Sequence, residues 1–490
     1  MPADVAPRGA MSRFAPVVLI AGAAAFSLWR IDTRPPPWWD EGWTLQVARN
    51  WLEHGHFGRY LDGAPAAKTL GAGVVVTAPI AASFALLGQG FWQARLTTVI
   101  WFTVAAFLLY QLTRRLFDAR TATVALVLAI LLSPLPSGSA LLFARQVLGE
   151  FAMLALVLGG VLLLRRGLER NAALCAVACL MFALGANAKA QLLPFILTAI
   201  LAGAFWALWE GSRREAALLV ATAAGTFAAT RLVFALEQML PGFRSEQYDA
   251  RALYAVTVLV FDATARAGAL RLVLLGALPH VVALCWMIPR LRSLPRAADR
   301  CVAAVLLALA AAWLIWFATL SAGWPRYLFP AIYLASPFLA SLLYESVRHP
   351  PTRAWARAGA LALGLQVAAT GGWALFRLAS ESENSQVREA ARVLNEEVAA
   401  GSLIETYESE LIFLLDGRYH YPPVDVHVAA MQRHHGQNAP IDYDPLAFDP
   451  DYIVTGGFSS AALLYEPVIQ AGHFRLVRTI GRYRIFERVR

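Results

Sequence analysis

The chain has 490 residues, of which 58% are hydrophobic and only 15% charged, against about half apolar and a quarter charged in soluble domains. That excludes an ordinary soluble protein, and the unbroken, non-alternating apolar runs exclude a β-barrel. The formal charge of +9 comes from arginine clusters between apolar runs, which is a topology signal and gives no reason to expect a nucleic-acid partner.

Taken in order, a basic N-terminus precedes an apolar run from Phe14 to Leu28 with no small-residue cleavage site, which reads as an uncleaved first helix. Basic clusters then recur at Arg114, Arg115 and Arg120; at Arg165, Arg166 and Arg170; at Arg213 and Arg214; at Arg290, Arg292, Arg296 and Arg300; and at Arg348, Arg353 and Arg357. Each interval between clusters holds enough apolar residues for two crossings of roughly 20 residues. With the clusters and Arg8 and Arg13 inside, the expected spans are 14–31, 96–113, 121–136, 147–164, 171–187, 191–209, 216–236, 268–288, 302–321, 327–344 and 356–376. That odd number, about eleven, puts the N-terminus inside and the tail outside. The run from Leu70 to Leu87 is also apolar. Counting it as a span would turn every later arginine cluster outward, so it is expected to be juxtamembrane or re-entrant, sheltered by protein.

The first external loop, about 32–95, opens with Pro35-Pro36-Pro37-Trp38-Trp39-Asp40-Glu41-Gly42-Trp43, continues as an amphipathic stretch from Thr44 to Glu53, and holds Asp62-Gly63-Ala64-Pro65 before Lys68. Loops this long in compact proteins are usually functional. From about residue 380 the apolar runs shorten. The tail, 380–490, is expected to form a small external α/β domain after the membrane domain of residues 1–379. Its predicted elements are a helix over Ser380–Ala400, a strand at Leu403–Tyr407, a short helix at Glu410–Leu415, a strand at Tyr452–Thr455, a helix over Ala461–Ala471, and a hairpin of Phe474–Arg478 with Tyr483–Arg488.

Asp40 and Glu41 are carboxylates at a membrane edge, where one of them can serve as a general base; Asp40 can equally be the N-cap of a helix starting at Gly42. Arg145 and Glu150 are either functional or a structural pair. Lys68, Lys189, Arg231, Arg266 and Arg326 fall on the outer half, where basic residues are disfavoured; a lipid-linked phosphate would explain them, and so would snorkelling or ion pairing. Four cysteines lie in or at the ends of apolar runs and give neither a disulfide framework nor zinc spacing. His420, His427, His434 and His435 show no metal-binding motif. The chain carries no GxGxxG, GxxxxGK[ST] or GxSxG, so ATP-driven transport and α/β-hydrolase chemistry have no support.

These residues resemble the GT-C superfamily of polyprenyl-phosphate-dependent glycosyltransferases, in the group of protein O-mannosyltransferases, lipid A aminoarabinose transferases and Rhizobium lipopolysaccharide glycosyltransferases. Asp40-Glu41 matches that family's acidic pair and Gly63-Ala64-Pro65-Ala66-Ala67-Lys68 its glycine–acid–proline–lysine stretch. Phe91-Trp92-Gln93-Ala94-Arg95-Leu96 is similar to its helix entry, Arg145-Gln146-Val147-Leu148-Gly149-Glu150 to its second acidic motif, and Arg326-Tyr327-Leu328-Phe329-Pro330 to its RYLLP motif; Lys189 resembles the lysine of its TKGP turn. Tyr407-Glu408-Ser409-Glu410 looks like the tail of some bacterial members. The resemblance implies a polytopic α-helical membrane protein of GT-C type, with juxtamembrane helices in the first loop. It implies inverting transfer of one sugar from a polyprenyl-phosphate donor to a glycan, lipid or protein acceptor, on the outer side of a bacterial cytoplasmic membrane.

In that scheme Asp40 is the base, with Glu41 and Glu150 catalytic or supporting. Lys68, Lys189, Arg326 and Arg145 hold the donor phosphate, and Trp39, Trp43 and Tyr327 contact acceptor or sugar. The partners are the lipid-linked donor, the acceptor and the bilayer. No metal is expected, although a divalent ion stays open. The chain departs from the pattern where Ala67 replaces the usual Glu before the lysine and Lys189-Ala190-Gln191 replaces Lys-Gly-Pro. A transporter or flippase of lipid-linked sugars, or a non-catalytic envelope assembly protein, are the alternatives. The first would call for charges deep in the spans and often an internal repeat, and the chain shows no such repeat.

Overall fold

A computed structural model describes residues 11–68, 70–133, 138–244, 250–348, 353–380 and 386–490; Arg8, the end of the 121–136 span and the 381–385 part of the tail's first helix lie outside the described residues. The membrane part begins with α1 (Met11–Leu28), α2 (Trp39–His54), a small hairpin of β1 (Arg59–Leu61) and β2 (Ala64–Ala66), α3 (Val74–Leu87), α4 (Phe91–Leu116) and α5 (Ala119–Leu131). Then follow α6 (Ala140–Phe143), α7 (Glu150–Glu169), α8 (Ala173–Ala188), α9 (Leu192–Trp209), α10 (Arg213–Gln238) and α11 (Ala250–Thr257). It closes with α12 (Ala263–Leu272), α13 (Leu278–Arg290), α14 (Ala297–Leu320), α15 (Pro325–Arg348) and α16 (Arg353–Ser380).

Eight of these segments are long and apolar enough to cross a membrane, α12 and α13 counting together; α1, α5 and α8 are shorter. Contacts at the ends of α7, α8, α10 and α14 define two faces of the bundle. At one face Lys189, after α8, meets Glu150 at the start of α7, and the end of α10 meets Val74. At the other, Arg165 near the end of α7 meets Asp299 at the start of α14. Proline explains why the 268–288 span is two helices. Pro279 has no N–H for the Leu275 carbonyl, and a five-residue π-helical turn at Val273–Ala277 absorbs the break.

α3 settles the Leu70–Leu87 question. It has 14 residues, about 21 Å at 1.5 Å per residue, short of a roughly 30 Å hydrocarbon core. Its start is bonded to Glu237 and Asn187, and near its end Phe84 stacks on Phe413 of the tail, 5.6 Å between centroids. Both ends therefore lie at the tail face, and the helix does not cross.

The tail holds α17 (Gln386–Glu396), β3 (Leu403–Thr406), α18 (Ser409–Ile412), β4 (Arg418–His420), α19 (Val424–His434), β5 (Tyr452–Thr455), α20 (Gly457–Ala462), α21 (Glu466–Gln470), β6 (Phe474–Ile480) and β7 (Tyr483–Arg488). Its mixed sheet runs β4-β3-β5-β7-β6, with β3 parallel to β4 and β5, and β7 antiparallel to β5 and β6. The helix expected over Ala461–Ala471 is two short ones, because Leu463 turns into the left-handed region at φ 54°. The first loop and the tail share a core: Trp39 and Trp43 pack with Tyr407, Leu411, Tyr421 and Val426. Gly42 makes this possible. A Cβ there would sit 2.0 Å from the Ser409 carbonyl oxygen, so only glycine lets α2 and α18 approach this closely.

Inside the tail, Glu410 is sealed from solvent and bonded to Arg482 and the Tyr483 hydroxyl. Burial and then the charge of Glu408 push its carboxyl up to about 7, from an ordinary 4.5, against the pull of Arg482. The folded state keeps a proton there that the unfolded chain has lost, so this group's contribution to stability falls as the pH rises from 4.5 through 7. Thermal unfolding of wild type and E410Q across pH 4.5–8 isolates it: relative to E410Q, the wild type should lose stability as the pH rises.

Candidate active site

The tail face of the bundle carries three pairs of opposite charge. α2 begins at Trp39, and its cap is Glu41, which reaches back to accept the Trp38 N–H at 2.8 Å. Asp40 is therefore not the cap of a helix beginning at Gly42; it lies in the first turn. Residues adjacent on a helix point about 100° apart, so the two carboxylates part company. Glu41 turns inward. Its Oε2 meets Arg95 on α4 at 2.8 Å, its Oε1 accepts Arg95 Nε and the Val147 N–H, both at 2.9 Å, and both side chains are fully buried. Glu41, expected to act beside Asp40, is a sealed anchor with its oxygens occupied.

Asp40 turns toward α15, where Arg326 donates to its Oδ2 and forms an ion pair. Trp38 Nε1 donates to the same oxygen at 2.6 Å; among the described residues no donor reaches Oδ1. A third of the Asp40 side chain stays exposed. Burial raises its carboxyl, but the Arg326 charge and hydrogen bond, then Trp38 and the charge of Lys189, outweigh it and hold the group below the usual carboxylate range.

Beside this pair, Glu150 at the first position of α7 is ion-paired with Lys189, just past the end of α8. The Tyr327 ring joins the two pairs, with Lys189 Nζ 5.3 Å and the Arg326 guanidinium carbon 5.1 Å from its centroid. Arg326 Nε and Glu150 Oε2 are buried with no hydrogen-bond partner among the described residues. Two buried polar atoms without a protein partner in one site leave a donor and an acceptor there for water or substrate. The third pair is Lys68 with Glu237 at the end of α10. Glu237 also accepts the Val74 N–H at 2.9 Å and Asn187 Nδ2 at 2.5 Å, so a carboxylate sits at the positive end of α3.

Several expected residues lie elsewhere. Arg145 does not pair with Glu150. It is fully buried and donates to the carbonyls of Arg34, Phe26 and Trp29 at 3.2, 3.2 and 2.5 Å, fixing the chain that leaves α1 and out of reach of a phosphate in solvent. Trp39 and Trp43, expected to contact acceptor or sugar, are covered by the tail. Trp39 stacks on His427 at 4.9 Å and donates to the Tyr407 carbonyl at 3.1 Å. Trp43 meets Tyr421 edge-on at 4.6 Å, with the Arg59 guanidinium 4.5 Å from its ring. Arg231 and Arg266 are exposed and outside these pairs.

His420 bonds Glu405 at 2.6 Å and His427 the Tyr407 hydroxyl at 2.9 Å. Burial holds His427 neutral, down to about 4, with the charge of Asp40 pulling the other way. Among the described residues no group of three or more His, Cys, Asp or Glu is placed to hold a metal. Sequence reasoning missed Glu237 and Asn187, and it weighed His427 only as a metal ligand. An acid one residue beyond the expected 216–236 span was the available signal for Glu237; nothing local marks Asn187.

The fold is that of the GT-C glycosyltransferases. Residues 72–236, from the approach to α3 to near the end of α10, match the family model described as dolichyl-phosphate-mannose-protein mannosyltransferase. That segment holds Glu150 and Lys189 but neither Asp40 nor Arg326. Among solved structures, ArnT from Cupriavidus metallidurans bound to undecaprenyl phosphate superimposes with a TM-score of 0.61 at 14% identity, covering 96% of this chain and 98% of that one. The archaeal oligosaccharyltransferase AglB from Archaeoglobus fulgidus, in complex with an inhibitory peptide and a dolichol-phosphate, gives 0.58 at 13% identity over 98% and 75%. A search of curated proteins gave no significant match.

The geometry separates two adjacent carboxylates by experiment. Glu41→Ala leaves the Arg95 guanidinium buried without its counter-charge, which costs about 3–5 kcal/mol. It should lower the unfolding temperature in detergent sharply, whereas Asp40→Asn, at a third-exposed side chain that can still accept from Arg326, should lower it much less.

Proposed function

We propose that the protein is a membrane glycosyltransferase that moves one sugar from a polyprenyl-phosphate donor to an acceptor hydroxyl at the tail face. The observation that carries this reading is the meeting of Asp40–Arg326 with Glu150–Lys189 around Tyr327, each pair with an orphaned buried polar atom. The fold and the matched family segment support it. So does the absence of an internal repeat, which a transporter often has. In this reading the tail face lies outside a bacterial cytoplasmic membrane with the arginine-rich face inside, the orientation that the charge bias favours. The acceptor is a glycan, lipid or protein of the envelope.

In the reaction, Asp40 takes the proton of the acceptor hydroxyl. The freed oxygen attacks C1 of the sugar from the side opposite the phosphate. The bond from C1 to the phosphate oxygen breaks, the configuration inverts, and polyprenyl phosphate departs with the bonding pair. Arg326 and Lys189, with Lys68 nearby, stabilise the charge that develops on that phosphate. Glu150 orients Lys189 and offers Oε2 to a substrate hydroxyl. These cations do the work a divalent ion would do, so chelation with EDTA should leave the rate unchanged.

Bound to Arg326, Asp40 is a weak base. A donor phosphate that draws Arg326 away raises the affinity of Asp40 for a proton as the acceptor arrives. Asp40→Asn should abolish sugar transfer, assayed with radiolabelled lipid-linked donor, while the protein still inserts and folds; full activity would overturn the assignment. In Arg326→Ala the largest lowering influence on Asp40 is gone while burial, which raises it, remains. The acid limb of the residual pH–rate profile should therefore move to higher pH.

A further inference from the structure

At the face opposite the tail, the ends of α4 and α7 and the starts of α8 and α14 border a half-open cavity of about 730 Å³. It is lined by Arg115, Arg165, Arg166, Arg170 and Arg296, with only Glu169 and Asp299 as acids. Both acids are already engaged. Asp299 meets Arg165 at 2.5 Å, and Glu169 meets Arg165 at 3.2 Å and Arg296 at 2.6 Å. No acid or other side-chain partner among the described residues reaches Arg115, Arg166 or Arg170. Three guanidiniums held around one hollow repel one another unless an anion joins them, and the planar guanidinium fork favours phosphate oxygens.

The cavity also adjoins apolar surface. α8 starts at its rim, where Leu174 lines it. Ala173, Ala176, Val177 and Leu180, spaced i, i+3, i+4 and i+7, are exposed along that helix and form a stripe leading from the cavity along the bundle. A ligand matching both features carries a phosphate and an acyl chain. We propose that this cavity is a binding site for the headgroup of an anionic phospholipid, with an acyl chain lying on the α8 stripe. Basic pockets between helix ends at a membrane surface are suited to such headgroups. The inference is independent of the sugar-transfer reading, because the site lies at the opposite face from Asp40.

The test is native mass spectrometry of the full-length protein, delipidated in detergent and titrated with phosphatidylglycerol, with phosphatidylcholine and with inorganic phosphate. Wild type should form a discrete phosphatidylglycerol adduct at least tenfold tighter than any phosphatidylcholine adduct. R115Q/R166Q/R170Q should lose that preference, and R115K/R166K/R170K should keep part of it. R213Q/R214Q/R292Q, which removes as much charge from the same face outside the cavity, should bind as wild type does. All six arginine side chains of the test and control sets, at 115, 166, 170, 213, 214 and 292, are exposed, and an unchanged unfolding temperature without lipid checks that the variants fold. Equal binding by wild type and R115Q/R166Q/R170Q would overturn the proposal, as would equal loss in the control. Inorganic phosphate binding as tightly as phosphatidylglycerol would also overturn it, in favour of a soluble anion.

Discussion

The buried pair of Glu41 and Arg95 is the contact on which the tail face depends. It ties the start of α2 to α4, and through the Val147 N–H to the chain that enters α7. Arg95 also donates to the carbonyls of Ile31 and Pro35, each at 2.9 Å, so the segment leaving α1 is held at the same point. A fully buried ion pair contributes little net stability over an apolar pair, but it is strongly directional and costly to break. That suits a place where helices remote in sequence must be set in one register. With Glu41 fixed, the helical turn alone determines where Asp40 points.

The elements were largely legible because the bilayer imposes them. Continuous apolar runs and the arginine beat predict a helix at each of the eleven expected spans, eight of them long and apolar enough to cross a membrane, and the Leu70–Leu87 run forms α3 at the tail face. Boundaries moved where local chemistry intervened, as at Pro279 and Leu463. The division of labour within the site was less legible. Asp40 and Glu41 have the same neighbours in sequence, and only the phase of a helix whose start is set by Glu41 itself separates them. The partner of Asp40 lies 286 residues away, and that of Lys68 lies 169 away on α10. Charge pairing at such separations leaves no local pattern. The resemblance makes Arg145 a phosphate ligand; it donates instead to three backbone carbonyls, which no sequence pattern announces.

The tail is part of the same construction. The family resemblance makes Trp39 and Trp43 contacts for acceptor or sugar. In the fold they supply apolar surface to the tail's core, and Gly42 between them admits the backbone of α18. One turn of α2 thus carries four adjacent residues with different tasks: Trp39 holds the tail, Asp40 faces Arg326, Glu41 anchors to Arg95, and Gly42 gives clearance. Ser409, between Glu408 and Glu410, donates through its hydroxyl to the Trp39 carbonyl. Movement of the tail would therefore act directly on the backbone beside Asp40.

Charge balance gives the three pairs at this face a common logic. Each cation, Arg326, Lys189 and Lys68, already has a carboxylate partner, so the site is close to neutral as it stands. Unpaired cations under a low-dielectric layer would be costly, and the carboxylates remove that cost. On the proposed reaction, a phosphate entering this face competes with carboxylates for the same guanidinium and ammonium groups. What it gains is the difference between two charge-assisted contacts, which is far smaller than the attraction of a bare cation. The donor can then be held by contacts that strengthen as charge builds on the leaving phosphate. The carboxylates released in the exchange are the ones the acceptor needs. A lone basic patch would bind the lipid phosphate more tightly and release the product more slowly, and it would leave no base free at the moment the acceptor hydroxyl has to lose its proton.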